Sequence, residues 1–318
     1  MCKCVIKNMS PKIVVVGSCM IDFTCYSPRL PKPGETIIGK NFEIKYGGKG
    51  ANQCIAAAKL GASTAIVACL GSDIYAQEYL KIFEKENVNI NHVQIQKDQH
   101  SGVAHIIVDD NGQNSIVIIL GSNSSLNEKQ VDAAAEVVKD AAVLLCQLES
   151  SLEGTRHALK LHKGHGLSIL NGAPAMEHID EELLSLCDIF CLNETEAEVM
   201  TGVETLGLSN VQKAIDKLLD RGCNTVVLTL GELGAAFASK ECRTATVIPN
   251  AKIVQPVDTT GAGDAFLGAL AYFKAYHPAL PMNECIRRAC VIATESVLKL
   301  GTHNSFPTRD NLSPELFV

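Results

Sequence analysis

Short apolar runs without polar alternation recur along this sequence, with helix-patterned segments between them, and that rhythm leaves few folds open. The first run, KIVVVG at 12–17, is dominated by β-branched residues and ends on a glycine. Such a run suits a strand buried on both faces. Similar runs follow at 64–69, 143–147, 167–171, 188–192 and 225–230, and between them lie ANQCIAAAKLGA, EKQVDAAAEVVKDAA and NVQKAIDKLLDRG, each patterned as a helix. Strand, helix, strand repetition predicts an α/β fold, with a mostly parallel central sheet covered on both faces as a three-layer α/β/α sandwich.

Two stretches break the rhythm. Residues 23–46 carry Pro28, Pro31, Pro33 and Gly34 and then alternate as NFEIKY, while 102–121 holds two β runs around Asp110-Asn111-Gly112. The second stretch is a strong hairpin signal. Neither suits a helix-covered parallel sheet, so both are placed in a small separate β layer, a lid near the strand ends where α/β sheets bind ligands. The expectation is one domain over 1–318 with that lid built in.

At 318 residues and 47% apolar content the chain can bury a large core. A net charge of −7, with no run of Lys or Arg, argues against nucleic acid or an anionic membrane as the main partner, so small molecules are expected. The thirteen cysteines, among them Cys19, Cys54, Cys146, Cys191 and Cys290, fall mostly inside apolar patterns and read as reduced core thiols of a cytosolic protein. Cys2 and Cys4 have no downstream Cys/His pair to complete a zinc site and read as part of a terminal tail. No stretch reaches the length of a membrane span and no secretory h-region opens the chain, which predicts a cytoplasmic protein. His157, His162 and His165 are interleaved with lysines and read as a solvated helix end with no metal.

The motif at 34–41, GETIIGKN, nearly matches a P-loop, but the next residues alternate like a strand instead of opening a helix. No GxGxxG follows a strand, so a dinucleotide fingerprint is absent and a dehydrogenase reading fails. GGKGANQ at 47–53 precedes an apolar helix and gathers amides, a cation and a side-chain amide, as a hydroxyl-rich ligand requires. VDTTGAGDAF at 257–266 is the stronger signal. Apolar spacing in FLGALAYFKAY starts a helix near Gly263, and Gly261 and Gly263 leave its first-turn amides bare, which makes an anion site reinforced by the helix dipole. Asp264 sits inside that site, where a carboxylate would repel a phosphate unless it receives the proton of the attacking hydroxyl. At 193–196, Asn193 and Glu196 fit a helix capping box and equally a Mg²⁺-linked phosphate site.

Taken in order, GGKGANQ, NETEAE, TLGELG and DTTGAGDAF resemble the ribokinase-like family of carbohydrate kinases, over about 12–307. Within the family, Lys49 points to the ribokinase branch rather than to fructokinases or adenosine kinases. The resemblance implies transfer of the ATP γ-phosphate to O5 of D-ribose, giving D-ribose 5-phosphate. It implies Asp264 as general base and Gly261, Ala262, Gly263 and Asp264 as the anion hole. Sugar contacts are implied for Met20, Ile21, Asp22, Gly48, Lys49, Gly50, Ala51, Asn52, Glu149 and Asp264. ATP contacts are implied for Asn193, Thr229, Leu230, Gly231, Glu232, Leu233, Gly234, Gly263, Asp264 and Cys290, with Glu196 helping to place Mg²⁺ through water. A K⁺ loop would use Asp258, Thr260, Ser296, Lys299, Gly301 and Ser305, mostly through carbonyl oxygens, and the lid would pair two subunits as a homodimer. One departure stands out: Met20 occupies a position where many members carry Asn, two residues before the sugar-binding Asp. This leaves 2-deoxyribose or another small sugar as an alternative substrate, and a catalytically silent sugar-binding regulator as a weaker one.

Overall fold

The computed structural model describes residues 12–204 and 207–318; Cys2 and Cys4 lie outside the described residues. The chain opens with β1 (Ile13–Val16), β2 (Met20–Tyr26) and β3 (Asn41–Gly47), then α1 (Lys49–Lys59), β4 (Thr64–Gly71), α2 (Ile74–Lys85) and β5 (Asn89–Gln96). The hairpin β6 (Gly102–Val108) and β7 (Asn114–Ile119) follows, with α3 (Glu128–Asp132), α4 (Ala135–Asp140), β8 (Val143–Cys146), α5 (Leu152–His162) and β9 (Leu167–Asn171). Next come α6 (Glu181–Leu186), β10 (Ile189–Asn193), α7 (Glu194–Thr201), α8 (Val211–Asp220), β11 (Thr225–Thr229), β12 (Ala235–Ser239) and β13 (Thr246–Ile248). The helices α9 (Ala262–Tyr276) and α10 (Met282–Ser296) close the list of long elements.

The described residues form a nine-stranded sheet in the order β13-β12-β11-β10-β9-β8-β1-β4-β5 and a four-stranded sheet in the order β3-β2-β6-β7. From β11 to β5 all pairs of the large sheet are parallel, and β12 and β13 add an antiparallel edge. Alternate residues of a strand serve opposite faces, and β1 shows it directly. Ile13 and Val15 pack with α1, α2, α9 and α10, while Val14 and Val16 pack with the helices from α3 to α8. This is the three-layer architecture with a small second sheet.

The segment expected as one helix over EKQVDAAAEVVKDAA is two, broken between Asp132 and Ala135. The three alanines at 133–135 offer the backbone no capping side chain, yet Val131, Ala134, Val138 and Ala141 all remain buried. The histidine segment is also less solvated than its lysines suggest. His162 is buried, with Nδ1 2.8 Å from the Val138 carbonyl, and His157 pairs with Asp132 at 2.6 Å. No helix among the described residues is long and apolar enough to cross a membrane.

Candidate active site

The C-terminal ends of β1, β8, β9, β10 and β11 share one rim of the sheet, so the residues just beyond them converge. These include Ser18, Glu149, Asn171, Asn193 and Thr229. The rim at β1 is where the winding reverses, the usual ligand crevice of an open α/β sheet.

Two helices aim at this rim. α1 starts after Gly48, and its first amide, Lys49 N–H, donates to Glu149 Oε2 at 2.8 Å. Ser18 Oγ donates to the same oxygen at 2.6 Å. α9 is capped by Gly261 at φ 80°, a left-handed conformation that strains any residue with a Cβ. The helix engages at Ala262, slightly ahead of the expected start near Gly263. The Ala262 amide is taken by the Thr259 carbonyl at 3.2 Å, while those of Gly263 and Asp264 stand in the first turn without an intrahelical acceptor. With the dipole of a 15-residue helix behind them, they favour an anion.

Close packing of α1 on α9 brings the two motifs together. A Cβ on Gly268 would lie 2.6 Å from the Ala56 Cβ, so this glycine lets the helices touch. One turn earlier on each helix, Asn52 Nδ2 donates to Asp264 Oδ2 at 2.8 Å and Gln53 Nε2 donates to Oδ1 at 3.0 Å. Burial pushes the Asp264 carboxyl up; Lys49 and the two amides pull it back, and Glu149 pushes it up again. Burial works against the charge of Lys49, yet Asp264, Glu149, Glu196 and Asp22 together hold its pKa above the ordinary lysine value. Asp22, on β2 of the small sheet, is pushed up to about 7 by burial and then by Glu149, against Lys45 and Lys49. A single ammonium thus faces several carboxylates at the end of an anion-seeking helix.

A cavity of about 400 Å³ is lined by Asn193, Thr229, Gly231, Glu232, Gly234, Gly263 and Cys290. A smaller one of about 160 Å³ is lined by Lys49, Glu196, Gly261 and Asp264 and shares Asn193, Thr229 and Gly263 with the first. Asn193 and Glu196 form a full capping box, Asn193 N–H donating to Glu196 Oε2 at 2.8 Å and Glu196 N–H to Asn193 Oδ1 at 2.8 Å. The cap and a place in the cavity coexist. Burial pushes the Glu196 carboxyl up.

Some expected residues contribute differently. Ile21 and Ala51 are fully buried and Gly50 is buried, so none of the three presents a surface to a ligand. Leu230 points into the core and Leu233 lines neither cavity. Met20 is 2% exposed, and its sulfur accepts an N–H from Asn123 at 3.2 Å, so it is a packed thioether at the root of the small sheet.

The K⁺ candidates fall on two loops tied together. Asp258 Oδ1 accepts from Thr260 N and Oδ2 from Gly301 N, both at 2.9 Å, and the Val297 carbonyl accepts from Val257 and Asp258. Burial pushes the Asp258 carboxyl up, but the amides of Thr260 and Gly301 leave it below its ordinary value. The hydroxyls of Ser296 and Ser305 donate to carbonyls of their own turns and Lys299 is exposed. Carbonyl oxygens on these loops, hard and mostly neutral, would suit a large monovalent cation. For Mg²⁺, one carboxylate, Glu196, in a cavity that would hold phosphates fits an ion that keeps most of its waters.

Sequence reasoning missed several contributors. Ala293, Thr294 and Val297 line the larger cavity with Cys290, and their spacing along α10 is a legible helical face. Gln53 closes the GGKGANQ motif but was given no role from it, and Asn123, Gln147, Asn171 and His303 carried no such signal. His303 Nε2 lies 2.8 Å from Asn52 Oδ1, and burial, then Lys59, pushes its imidazole down to about 3.

Bare amides beside a carboxylate able to take a proton are what phosphoryl transfer to a hydroxyl needs, and fold and site together define a small-molecule kinase. More narrowly, the chain belongs to the pfkB family of carbohydrate kinases, whose profile matches residues 10–309. It is 43% identical over 306 residues to the ribokinase of Mus musculus, covering 96% of this chain and 94% of that protein. It is 37% identical over 305 residues to the deoxyribokinase of Salmonella typhi, covering 96% and 98%. The structure of Arabidopsis thaliana ribokinase complexed with ribose and ATP matches with a TM-score of 0.88 at 32% identity, covering 95% of this chain and 97% of that one.

Proposed function

We propose that this chain transfers the γ-phosphate of ATP to O5 of D-ribose, giving D-ribose 5-phosphate. The observation that carries the reading is the Asp264 carboxylate, clasped by Asn52 and Gln53 at the first turn of α9, where the two cavities meet beside Lys49. In this reading Asp264 takes the proton of the sugar 5-hydroxyl, while the amides of Gly261, Gly263 and Asp264 and the Lys49 ammonium stabilise charge on the transferring group; the Ala262 amide, taken by Thr259, does not take part. Asp22, Lys49, Asn52 and Glu149 hold the sugar hydroxyls, with backbone help from Gly48. ATP occupies the larger cavity between Asn193, the turn from Thr229 to Gly234, and Cys290. Mg²⁺, held through water by Glu196, would neutralise phosphate charge when bound with the nucleotide. K⁺, held by the loops of Asp258, Thr260, Ser296, Lys299, Gly301 and Ser305, would order the amides beside it. The intact GAGD turn and the clasped carboxylate favour an enzyme over a silent sugar-binding regulator.

The protein is read as a cytoplasmic, single-domain homodimer, with 23–46 and 102–121 as a lid through which two copies pair. The edge strand β7 supports this, since Ile116, Val117, Ile118 and Ile119 are all between 43% and 65% exposed.

A second reading, 2-deoxyribose as substrate, is favoured by the Salmonella typhi relative. ADP release over a panel of pentoses and hexoses tests both. Ribose giving the highest kcat/KM is the expected result; a stronger response to 2-deoxyribose would install the second reading, and release with no sugar in the panel would remove both.

A further inference from the structure

Each oxygen of Asp264 receives an amide NH₂, but a side-chain amide can equally present its carbonyl, and the two ends are nearly the same size. The acceptor-only carboxylate decides the flip, and the second partner of each amide holds its other end. Asn52 Oδ1 faces His303 Nε2 at 2.8 Å, and Gln53 Oε1 accepts from Gln147 Nε2 at 2.8 Å. A carboxylate only accepts, so Asn52 turns its NH₂ to Asp264 and its oxygen to His303. His303 must then carry its proton on Nε2 and donate it. The same logic runs along the other arm, where the second hydrogen of Gln53 Nε2 goes to Asn171 Oδ1 at 3.2 Å and Asn171 Nδ2 donates to the Cys191 carbonyl at 3.1 Å.

Gln147 is fully buried and its Nε2 is engaged by Gln53, while its Oε1 has no hydrogen-bond partner. The backbone carbonyl of His303 accepts from Lys59 Nζ at 2.6 Å, which lashes its segment along α1, the helix that carries Asn52.

We propose that His303 and Gln147 are positioning residues that hold the oxygen ends of Asn52 and Gln53, and through them aim the Asp264 carboxylate at the attacking hydroxyl. This rests on Asp264 being the base. Neither outer residue touches Asp264. Without an outer donor the inner amide keeps its NH₂ on the carboxylate but loses the anchor on its oxygen end, so the clasp can shift and swing the base off line. An aiming error of this kind falls on the chemical step rather than on nucleotide binding.

The test compares steady-state kinetics of His303→Leu, His303→Gln, Gln147→Leu and Asp264→Asn with wild type, varying ribose and ATP separately and recording the thermal midpoint of each. His303→Leu is expected to lower kcat on the order of tenfold to a hundredfold with the KM for ATP unchanged. His303→Gln, whose NH₂ can still donate to Asn52, should recover most of that loss. Wild-type kcat in His303→Leu, or a Gln variant as slow as the Leu one, overturns the positioning role. If Gln147→Leu fails to fold, the His303 pair still decides. Near-normal turnover in Asp264→Asn would overturn the base and the positioning role together, whereas an inactive Asp264→Asn beside a fully active His303→Leu would overturn the positioning role alone.

Discussion

Asp22 is the residue whose chemistry is most open to a pH experiment. Its folded pKa of about 7 lies above the ordinary 3.8, so between those values the folded chain holds a proton that the unfolded chain has lost. Stability contributed by this group is therefore present at low pH and falls as pH rises through the window up to about 7. Sugar hydroxyls that donate to Asp22 need it ionised, so ribose KM should fall as the pH is raised past 7, and Asp22→Asn should flatten that dependence. A KM independent of pH in the wild type would show that Asp22 does not hold the sugar. Met20 gives a second expectation at this scale. A polar contact rejects an analogue lacking the hydroxyl strongly, whereas an apolar one discriminates by about 1–3 kcal/mol. Because Met20 is buried with its sulfur against Asn123, Met20→Asn should leave the preference for ribose over 2-deoxyribose unchanged; a widened preference in a well-folded variant would show that Met20 faces the sugar. Glycine density made Asp264 and Lys49 legible in the sequence. His303 and Gln147 were not, because their partners lie 251 and 94 residues away and neither sits in a patterned motif.

Helices and strands were legible wherever one face is buried, since the 3.6 and 2.0 periods are written in apolar residues. The break between α3 and α4 left no mark in an alanine-rich stretch, and the α1 to α9 crossing depends on Gly268, which from sequence reads only as a gap in an apolar helix. The loops before α9 and after α10 carry the cation prediction. Asp258 joins the turn at Thr260 to the one at Gly301, immediately ahead of the Gly261 cap, so an ion bound among their carbonyls would stiffen the amides that meet the phosphate. Initial rates in Tris with K⁺, Na⁺ or Li⁺ chloride at equal ionic strength should be highest with K⁺. Indifference to the cation would remove the ion from this site.

For the molecule as a whole, the repeated strand and helix runs fixed the class of sheet and the insertion of a second one, but not which strands neighbour which. Strand order depends on crossovers that no local pattern records. In the small sheet Asp22 shares a register row with Lys45, Ala104 and Ile118, so the strand bearing the carboxylate proposed to hold the sugar is continuous with the exposed edge. If two copies bury that edge, the wild type should sediment as two chains and Ile118→Asp as one, with weakened ribose binding in the variant. A monomeric wild type would contradict the pairing. The central claim is that Asp264 drives transfer of a phosphoryl group to O5 of ribose, and ³¹P NMR of ribose and ATP incubated with wild type and with Asp264→Asn tests it most directly. The wild type should give a monoester resonance split into a triplet by the two C5 protons, and the variant should form it at least about a hundredfold more slowly. A doublet from phosphate on C1, no sugar phosphate at all, or equal rates in the two proteins would contradict the claim.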